Sequence, residues 1–137
     1  MDVPYEKPLP IIPDYERPFW EATKKRELRL QRCADCGHIR YPSSPICPEC
    51  WSSEYEWARL SGRGKVISWI VYHRAFTPAF AGDVPYNVAW IELEEGPRLV
   101  ANIIKVKNEE IHTDMAVQEA FIDITDELTL LQFQPAT

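Results

Sequence analysis

The chain has 137 residues, a formal net charge of −6 at pH 7 and 45% hydrophobic residues. This length suits one domain, or one domain with a small appendage, and it is sufficient to bury a core without disulfides. No apolar stretch approaches the ~18 residues of a membrane span, and the acidic balance argues against a protein that binds mainly by neutralising phosphates.

The charge is unevenly distributed along the chain. Residues 1–74 carry 12 of the 15 Lys and Arg residues and 10 of the 21 Asp and Glu residues, so the remaining residues 75–137 are strongly acidic. A phosphate-bearing ligand would therefore be expected at the first half. Two simply solvated halves would explain the same distribution equally well.

The first residues predict an arm followed by a helix. Residues 1–13 contain four prolines, which disfavour helix and favour an extended, polyproline-like arm that is either loose or laid across a partner. Residues 14–27 are predicted to form a helix, with Pro18 in the first turn and Phe19 and Trp20 on a short apolar face.

All the cysteines of the chain occur in two CxxC motifs separated by ten residues, at Cys33, Cys36, Cys47 and Cys50. Each motif places two sulfurs on one side of a tight turn, and two facing turns offer the four thiolates of a closed tetrahedral zinc site. Two disulfides are the alternative. No apolar signal segment is present at the N-terminus, so we expect a reducing, cytoplasmic location and favour the metal.

Iron is the other metal that such a motif pair would hold. A rubredoxin-like site also takes four cysteines from two CxxC turns, and it would make the protein an electron carrier. We favour zinc because rubredoxin-like turns usually carry Gly after both pairs, whereas Gly37 follows only the first and Trp51 follows the second. With four Cys ligands the metal would have no open position and would not activate water.

Alternating apolar and polar runs predict a mainly β fold. Residues 28–33 and 39–42 should form ribbon strands, and residues 54–60 a connecting strand. Further strands are predicted at 65–74, 86–94, 98–105, 116–124 and 129–133, with a loop at 76–85 and a polar connection at 108–115. Five such strands fit a small closed OB-like barrel better than an open sheet. We therefore expect the arm and helix at residues 1–27, a zinc ribbon at 28–60 and the barrel at 61–137.

An ordered set of motifs over nearly the full length resembles the DUF35 family. The set comprises Pro-Phe-Trp at the helix start, CxxCG…YP…CPxC, Ser-Gly-Arg-Gly, Pro-Tyr-Asn-Val-Ala-Trp-Ile-Glu-Leu, Glu-Glu-Gly-Pro-Arg and a final Phe-x-Pro. The resemblance implies a rubredoxin-like zinc ribbon joined to an OB-fold and described as acyl-CoA-associated.

The resemblance also implies a role beside other enzymes. Members of this family are typically partners of thiolases, hydroxymethylglutaryl-CoA synthases and lipid-transfer-protein-like aldolases, and some are fused to MaoC-like hydratase domains. They are thought to support assembly and to help shape the channel that holds the CoA thioester.

Three positions depart from the family pattern. Pro42-Ser43-Ser44-Pro45 stands where Pro-Pro-Arg is frequent, which puts a phosphate role at that corner in doubt. Asp114-Met115 and Lys25-Arg26-Glu27 stand where a Gly is usual, before the penultimate strand and at the end of the helix. The last two departures are interpreted as variations of turns.

No constellation of side chains in the sequence predicts catalysis. His38, His73 and His112 lie outside any His-containing catalytic motif, and each is expected to be structural or exposed. The sequence has no Gly-rich phosphate loop, no GxSxG and no HExxH motif. The carboxylates Asp83, Glu92, Glu94 and Glu95 are expected to be solvated. These observations predict a non-catalytic subunit.

Candidate ligand or partner residues lie around the loop at residues 76–85. Phe76, Phe80 and Tyr86 would offer an apolar surface to a partner or an acyl-pantetheine arm, and Arg63 and Arg74, which bracket the first barrel strand, could meet phosphates. Equally, Phe76 and Phe80 could plug the end of the barrel as core residues.

The sequence therefore predicts a zinc-binding, acyl-CoA-associated subunit of lipid metabolism that docks on a thiolase-like or MaoC-like enzyme. A nucleic-acid-binding ribbon and barrel is the alternative, because aromatic residues on a barrel can stack bases, but the acidic barrel half argues against it. No membrane contact is expected.

Overall fold

The structure is a computed structural model that describes residues 7–136, so residues 1–6 of the predicted arm lie outside the described part. From residue 7 to Pro13 the chain has no helix or strand, in keeping with its prolines. A 3-10 turn at Asp14–Glu16 leads into helix α1, Arg17–Lys24. Across residues 7–136, no helix has both the length and the apolar character needed to cross a membrane.

Helix α1 is shorter than the predicted helix at residues 14–27. Arg26 adopts a left-handed conformation with φ 62°. The Arg26 N–H donates to the Thr23 carbonyl at 3.0 Å, and the Glu27 N–H donates to the Ala22 carbonyl at 2.9 Å. This pair of bonds is the Schellman arrangement that ends helices, and it usually has Gly where Arg26 stands.

The side chain of Arg26 makes a contact that accounts for an arginine at this unusual backbone position. Its guanidinium donates to both carboxylate oxygens of Asp123, at 2.9 and 2.7 Å. These bonds, together with one from the Thr129 hydroxyl, lower the pKa of Asp123 to about 2. Since Asp123 lies in the barrel, the ion pair ties the end of the helix to the barrel wall.

The ribbon is a three-stranded antiparallel sheet. Its strands are β1, Arg29–Cys33, β2, Ile39–Arg40, and β3, Tyr55–Arg59, in the order β2-β1-β3. Strand β2 ends before Pro42, two residues earlier than predicted, because proline has no N–H to donate to the neighbouring strand.

The second sheet forms the barrel, as predicted. Its strands are β4, Arg63–Tyr72, β5, Tyr86–Leu93, β6, Arg98–Ala101, β7, Ala116–Asp123, and β8, Thr129–Pro135. They pair in the order β6-β5-β4-β7-β8, and a parallel bridge between Ile103 and Phe133 joins the two outer strands. This connectivity closes a five-stranded OB-fold barrel. The last part of the predicted strand at residues 98–105 is this bridge rather than regular strand.

One hydrophobic core runs through the helix, the ribbon and the barrel. Its fully buried members include Phe19, Leu28, Leu30, Val66, Ile91, Leu99, Val117 and Phe133. Helix α1 packs against β1 of the ribbon and against β7 and β8 of the barrel. The base of the ribbon is therefore fixed relative to the barrel by shared apolar packing.

Side-chain amides complete the seam in which residues 102–104, just after β6, lie between β5 and β8. The Asn87 amide donates to the Ile103 carbonyl at 2.9 Å and accepts from the Ile103 N–H at 2.7 Å. The Asn102 N–H donates to Gln132 Oε1 at 2.8 Å, and Gln132 Nε2 donates to Asn102 Oδ1 at 3.0 Å. These bonds satisfy buried backbone groups that the short backbone pairing leaves open.

The seam predicts a specific loss of stability. Replacing Asn87 with Ala would leave both backbone groups of Ile103 buried without partners, so the free energy of unfolding should fall by about 2–4 kcal/mol. The comparison variant is Asn108→Ala, which removes one acceptor of the Asn87 amide, at 3.1 Å, and a bond to the Pro85 carbonyl, at 3.2 Å. It leaves both backbone groups of Ile103 paired with Asn87 and should cost less. Urea denaturation measures the free energy of unfolding of both variants. Equal losses would contradict the role assigned to Asn87 in the seam.

Candidate metal centre

The two CxxC turns have the same backbone geometry. The Gly37 N–H donates to the Cys33 carbonyl at 3.0 Å, and the Trp51 N–H donates to the Cys47 carbonyl at 2.9 Å. Gly37 and Trp51 both adopt positive φ, 79° and 66°. The chain thus turns back sharply after each motif, and each pair of sulfurs is directed toward the other pair.

The four sulfur atoms lie within 4.8 Å of one another. Two of the distances are 3.5 Å, between Cys33 and Cys50, and 3.6 Å, between Cys36 and Cys47. A regular tetrahedron with metal–sulfur bonds of ~2.3 Å has sulfur–sulfur edges of about 3.8 Å, close to these values. A disulfide needs about 2.05 Å, so the cysteines are free thiols and the donor set fits a tetrahedral cation.

The electrostatics of the cluster also favour a cation. The backbone N–H groups of Cys36 and Asp35 lower the pKa of Cys33 to about 6. The backbone N–H of Ser52 favours the Cys50 thiolate, yet the neighbouring cysteine side chains, Cys33 first, raise the pKa of Cys50 to about 12. The backbone N–H of His38 would lower the pKa of Cys36. Burial and hydrogen bonding to Cys47 and Cys33 outweigh this effect, so the pKa of Cys36 is raised. Four thiolates can coexist here only around a positive ion.

A buried arginine positions the loop before the second turn, and sequence reasoning did not identify it. Arg40 donates from Nη2 to the Ser44 carbonyl at 2.8 Å and from Nε to Gln31 Oε1 at 3.0 Å. Gln31 Oε1 also accepts from the Ser44 N–H at 2.7 Å. The guanidinium lies 4.9 Å from the Tyr55 ring centre. The only signal in the sequence was the unusual serine pair before Pro45, since the partners are distant along the chain.

Four of the five predicted ligand or partner residues come together at one end of the barrel. Tyr86 stacks on Tyr72 with ring centres 5.1 Å apart, and Phe80 lies 5.8 Å from Tyr86. Phe76 meets the edge of Tyr72 at 6.0 Å, and Arg74 lies 5.7 Å from the Phe76 ring. Phe76 is 72% exposed and Phe80 is half-buried, so neither is a core residue. Tyr72, which the sequence did not single out, is the centre of this cluster.

Arg63 lies apart from that cluster. It begins β4, whereas Tyr72 ends the same strand, and nine residues of strand span about 30 Å. The Arg63 side chain is exposed. Arg63 and Arg74 therefore cannot contact the same phosphate group.

A groove of about 620 Å³ runs beside the aromatic cluster. Its apolar lining comes from the barrel and the loop, namely Phe80, Pro85, Tyr86, Ile103, Ile104, Ile122, Ile124 and Leu130. Lys7 and Asp83 lie at its border and pair at 2.5 Å, with the Lys7 ammonium 5.2 Å from the Phe80 ring centre. The rest of the lining is polar, from Asn87, Asn102, Asn108, Asp123 and Gln132, so the groove combines apolar walls with several hydrogen-bonding groups.

Several carboxylates outside the cysteine cluster are held by arginines. Glu92 binds Arg98 at 2.9 Å, and Glu27 binds Arg29 at 2.8 Å, which lowers the pKa of Glu27. Glu95, expected to be solvated, accepts from the Ser61 N–H at 2.7 Å. These groups brace turns and strands.

The chain matches two family descriptions. Residues 20–56 match the ChsH2 rubredoxin-like zinc ribbon domain, and residues 57–121 match the ChsH2 C-terminal OB-fold domain. In the solved structure of the Ltp2-ChsH2(DUF35) aldolase, one chain superposes with a TM-score of 0.85 at 40% identity, covering 94% of this chain and 100% of that one.

Curated relatives agree with these matches. A DUF35 domain-containing scaffold protein of Methanocaldococcus jannaschii is 38% identical over 79% of this chain and 77% of its own length. A probable enoyl-CoA hydratase alpha subunit of Thermomonospora curvata is 41% identical over 95% of this chain, which spans 40% of that protein. The benzoylsuccinyl-CoA thiolase subunit BbsA of Thauera aromatica is 35% identical over 56% of this chain and 51% of its own length.

The sulfur cluster predicts that metal binding releases protons. Because the pKa values of Cys36 and Cys50 are raised, both thiols are protonated at pH 7, and one divalent ion should displace at least about two protons. Affinity for the ion should therefore fall steeply as the pH falls. Titration calorimetry of the metal-free chain in buffers of different ionisation enthalpy measures the released protons, with Cys36→Ser as the control. A pH-independent affinity would contradict the proposed ligands.

Proposed function

This chain belongs to the DUF35 family, and we propose that it is a non-catalytic, zinc-binding subunit that docks on and supports a thiolase-like enzyme acting on CoA thioesters. The observation that carries this proposal is the full-length match to the DUF35 chain of the Ltp2-ChsH2(DUF35) aldolase. The relative named as a benzoylsuccinyl-CoA thiolase subunit supports a partner of the thiolase class. A MaoC-like hydratase is the second partner class, supported by the relative named as a hydratase alpha subunit.

We assign the metal as zinc and its role as structural. Cys33, Cys36, Cys47 and Cys50 would be its ligands, and zinc would supply a closed tetrahedral clamp for the two turns. All four donors are sulfur, so no coordination position is left for a substrate or water. Thiolate ligands persist in a reducing compartment, which supports a cytoplasmic location.

The barrel end is the part of the chain proposed to contact the acyl-CoA or the partner. Phe76, Phe80 and Tyr86 offer an apolar surface beside the groove, and Arg74 places a cation at its edge. Arg63 is too distant from this surface to share in it, and we propose it only as a separate contact. The thioester would lie at a site shared with the partner enzyme.

Loss of the metal should abolish assembly. The purified chain should contain about one zinc per molecule and be colourless, since iron in a four-cysteine site absorbs visible light. Cys36→Ser should lose the metal and unfold the ribbon, because a closed zinc site supplies folding energy. Co-purification with a thiolase-superfamily subunit from the same organism should then fail. The exposed Ser53→Ala is the matched control and should retain both; a red, iron-containing protein would contradict the zinc assignment.

Catalysis should belong to the partner. The purified chain alone should leave acyl-CoA thioesters unchanged, whereas the complex should turn them over faster than the partner alone. Thioester cleavage or formation is followed by free CoA thiol with and without this chain. Turnover by this chain alone would show that it carries its own catalytic groups.

A further inference from the structure

Trp51 adopts a backbone conformation that costs energy. Its φ of 66° lies in the left-handed region, where a side chain approaches the following carbonyl. Gly37 occupies the equivalent place in the other turn at φ 79° and makes the same backbone hydrogen bond. Glycine would meet this conformation without strain, so the turn itself gives no reason for tryptophan.

The indole of Trp51 also contributes little to the packing of the chain. It is 81% exposed, the highest exposure of any aromatic side chain in residues 7–136. No aromatic ring or cation of this described part packs against it. Neither the stability nor the solubility of the chain explains a strained, exposed tryptophan at this position. Tryptophan is, however, one of the residue types that contribute most of the binding energy at protein interfaces.

The exposed Asp, Glu, Lys and Arg side chains between the first cysteine and Glu54 have one sign. Within residues 33–54, which we name the ribbon tip, Asp35, Glu49 and Glu54 are exposed, whereas Arg40, its one Lys or Arg residue, is buried. The Ser52 hydroxyl, next to Trp51, donates to the Asp35 carboxylate and accepts from the Glu54 N–H at 3.0 Å. Two of these carboxyl-bearing residues are thus held near the residue that follows Trp51, and Glu49 precedes it by two positions.

We propose that Trp51 is the anchor by which the ribbon tip docks on its protein partner. The partner surface would be an apolar pocket for the indole bordered by Lys and Arg side chains, which complement the acidic tip. This inference rests on the proposed function, in which the partner is a thiolase-superfamily subunit. The acidic rim disfavours a nucleic acid or an anionic lipid surface as the occupant.

The test separates the role of Trp51 in binding from its role in folding. In Trp51→Gly, removal of the strain should raise the urea midpoint of the zinc-loaded chain. The Kd for a thiolase-superfamily subunit from the same organism should rise about 30-fold or more. Trp51→Asn, which also tolerates positive φ, should show the same loss of affinity. The matched control is Trp90→Thr, which removes an indole that is 40% exposed on the outer barrel face and should leave the Kd unchanged. Glu49→Lys should slow association and weaken its dependence on salt.

Four other outcomes would contradict the proposed role of Trp51, and each can be told apart from the others. If the wild-type chain binds this subunit and Trp51→Gly binds it equally well, the inference is wrong while the proposed function stands. If the wild-type chain does not bind the subunit, the proposed function fails together with the inference. Loss of zinc from Trp51→Gly would show that the indole serves the metal site. Loss of self-association alone, seen by analytical ultracentrifugation, would show that a second copy of the chain occupies the tip.

Discussion

Four sulfur atoms within 4.8 Å of one another impose the constraint on which the whole ribbon depends. Thiolates at this spacing repel. Against a favourable backbone N–H from Ser52, hydrogen bonding to the other cysteine side chains, Cys33 first, raises the pKa of Cys50 to about 12. A divalent cation would convert the repulsion into attraction and would join the two turns. The buried Arg40 and Gln31 prepare this arrangement, because they hold the loop that delivers Cys47 to the other motif.

The shared hydrophobic core packs the ribbon and the barrel together as one unit. Leu28 and Leu30 of the ribbon are buried in the same cluster as Phe133 of the barrel. The ion pair between Arg26 and Asp123 adds a second connection through the end of helix α1. In the proposed function, a partner bound at the ribbon tip and a ligand in the barrel groove would therefore be held at a fixed separation.

Four non-glycine residues of the described part have positive φ, namely Arg26, Trp51, Lys105 and Asp114. Arg26 binds Asp123, and Asp114 lies 3.9 Å from the Lys65 ammonium while its N–H donates to the Val66 carbonyl at 2.8 Å. In both cases a contact within the chain accompanies the strain, and both stand where the family pattern usually has Gly. Trp51 and Lys105 differ from them, because both side chains are exposed to solvent. Of these two, only Trp51 is a large apolar residue. The structure therefore agrees with the interpretation of Lys25-Arg26-Glu27 and Asp114-Met115 as variations of turns.

The sequence by itself determined the features that depend on local spacing. The two CxxC motifs predicted the sulfur cluster, and alternation in short runs predicted five barrel strands, because both patterns act over a few residues. The tertiary structure decided what depends on distant partners. Arg26 ends the helix beside a carboxylate 97 positions away, Asn87 closes the seam against Ile103, and the strand register gathers the aromatic residues around Tyr72 while it leaves Arg63 at the other end. Such contacts follow from register and packing, which no local pattern of residues encodes.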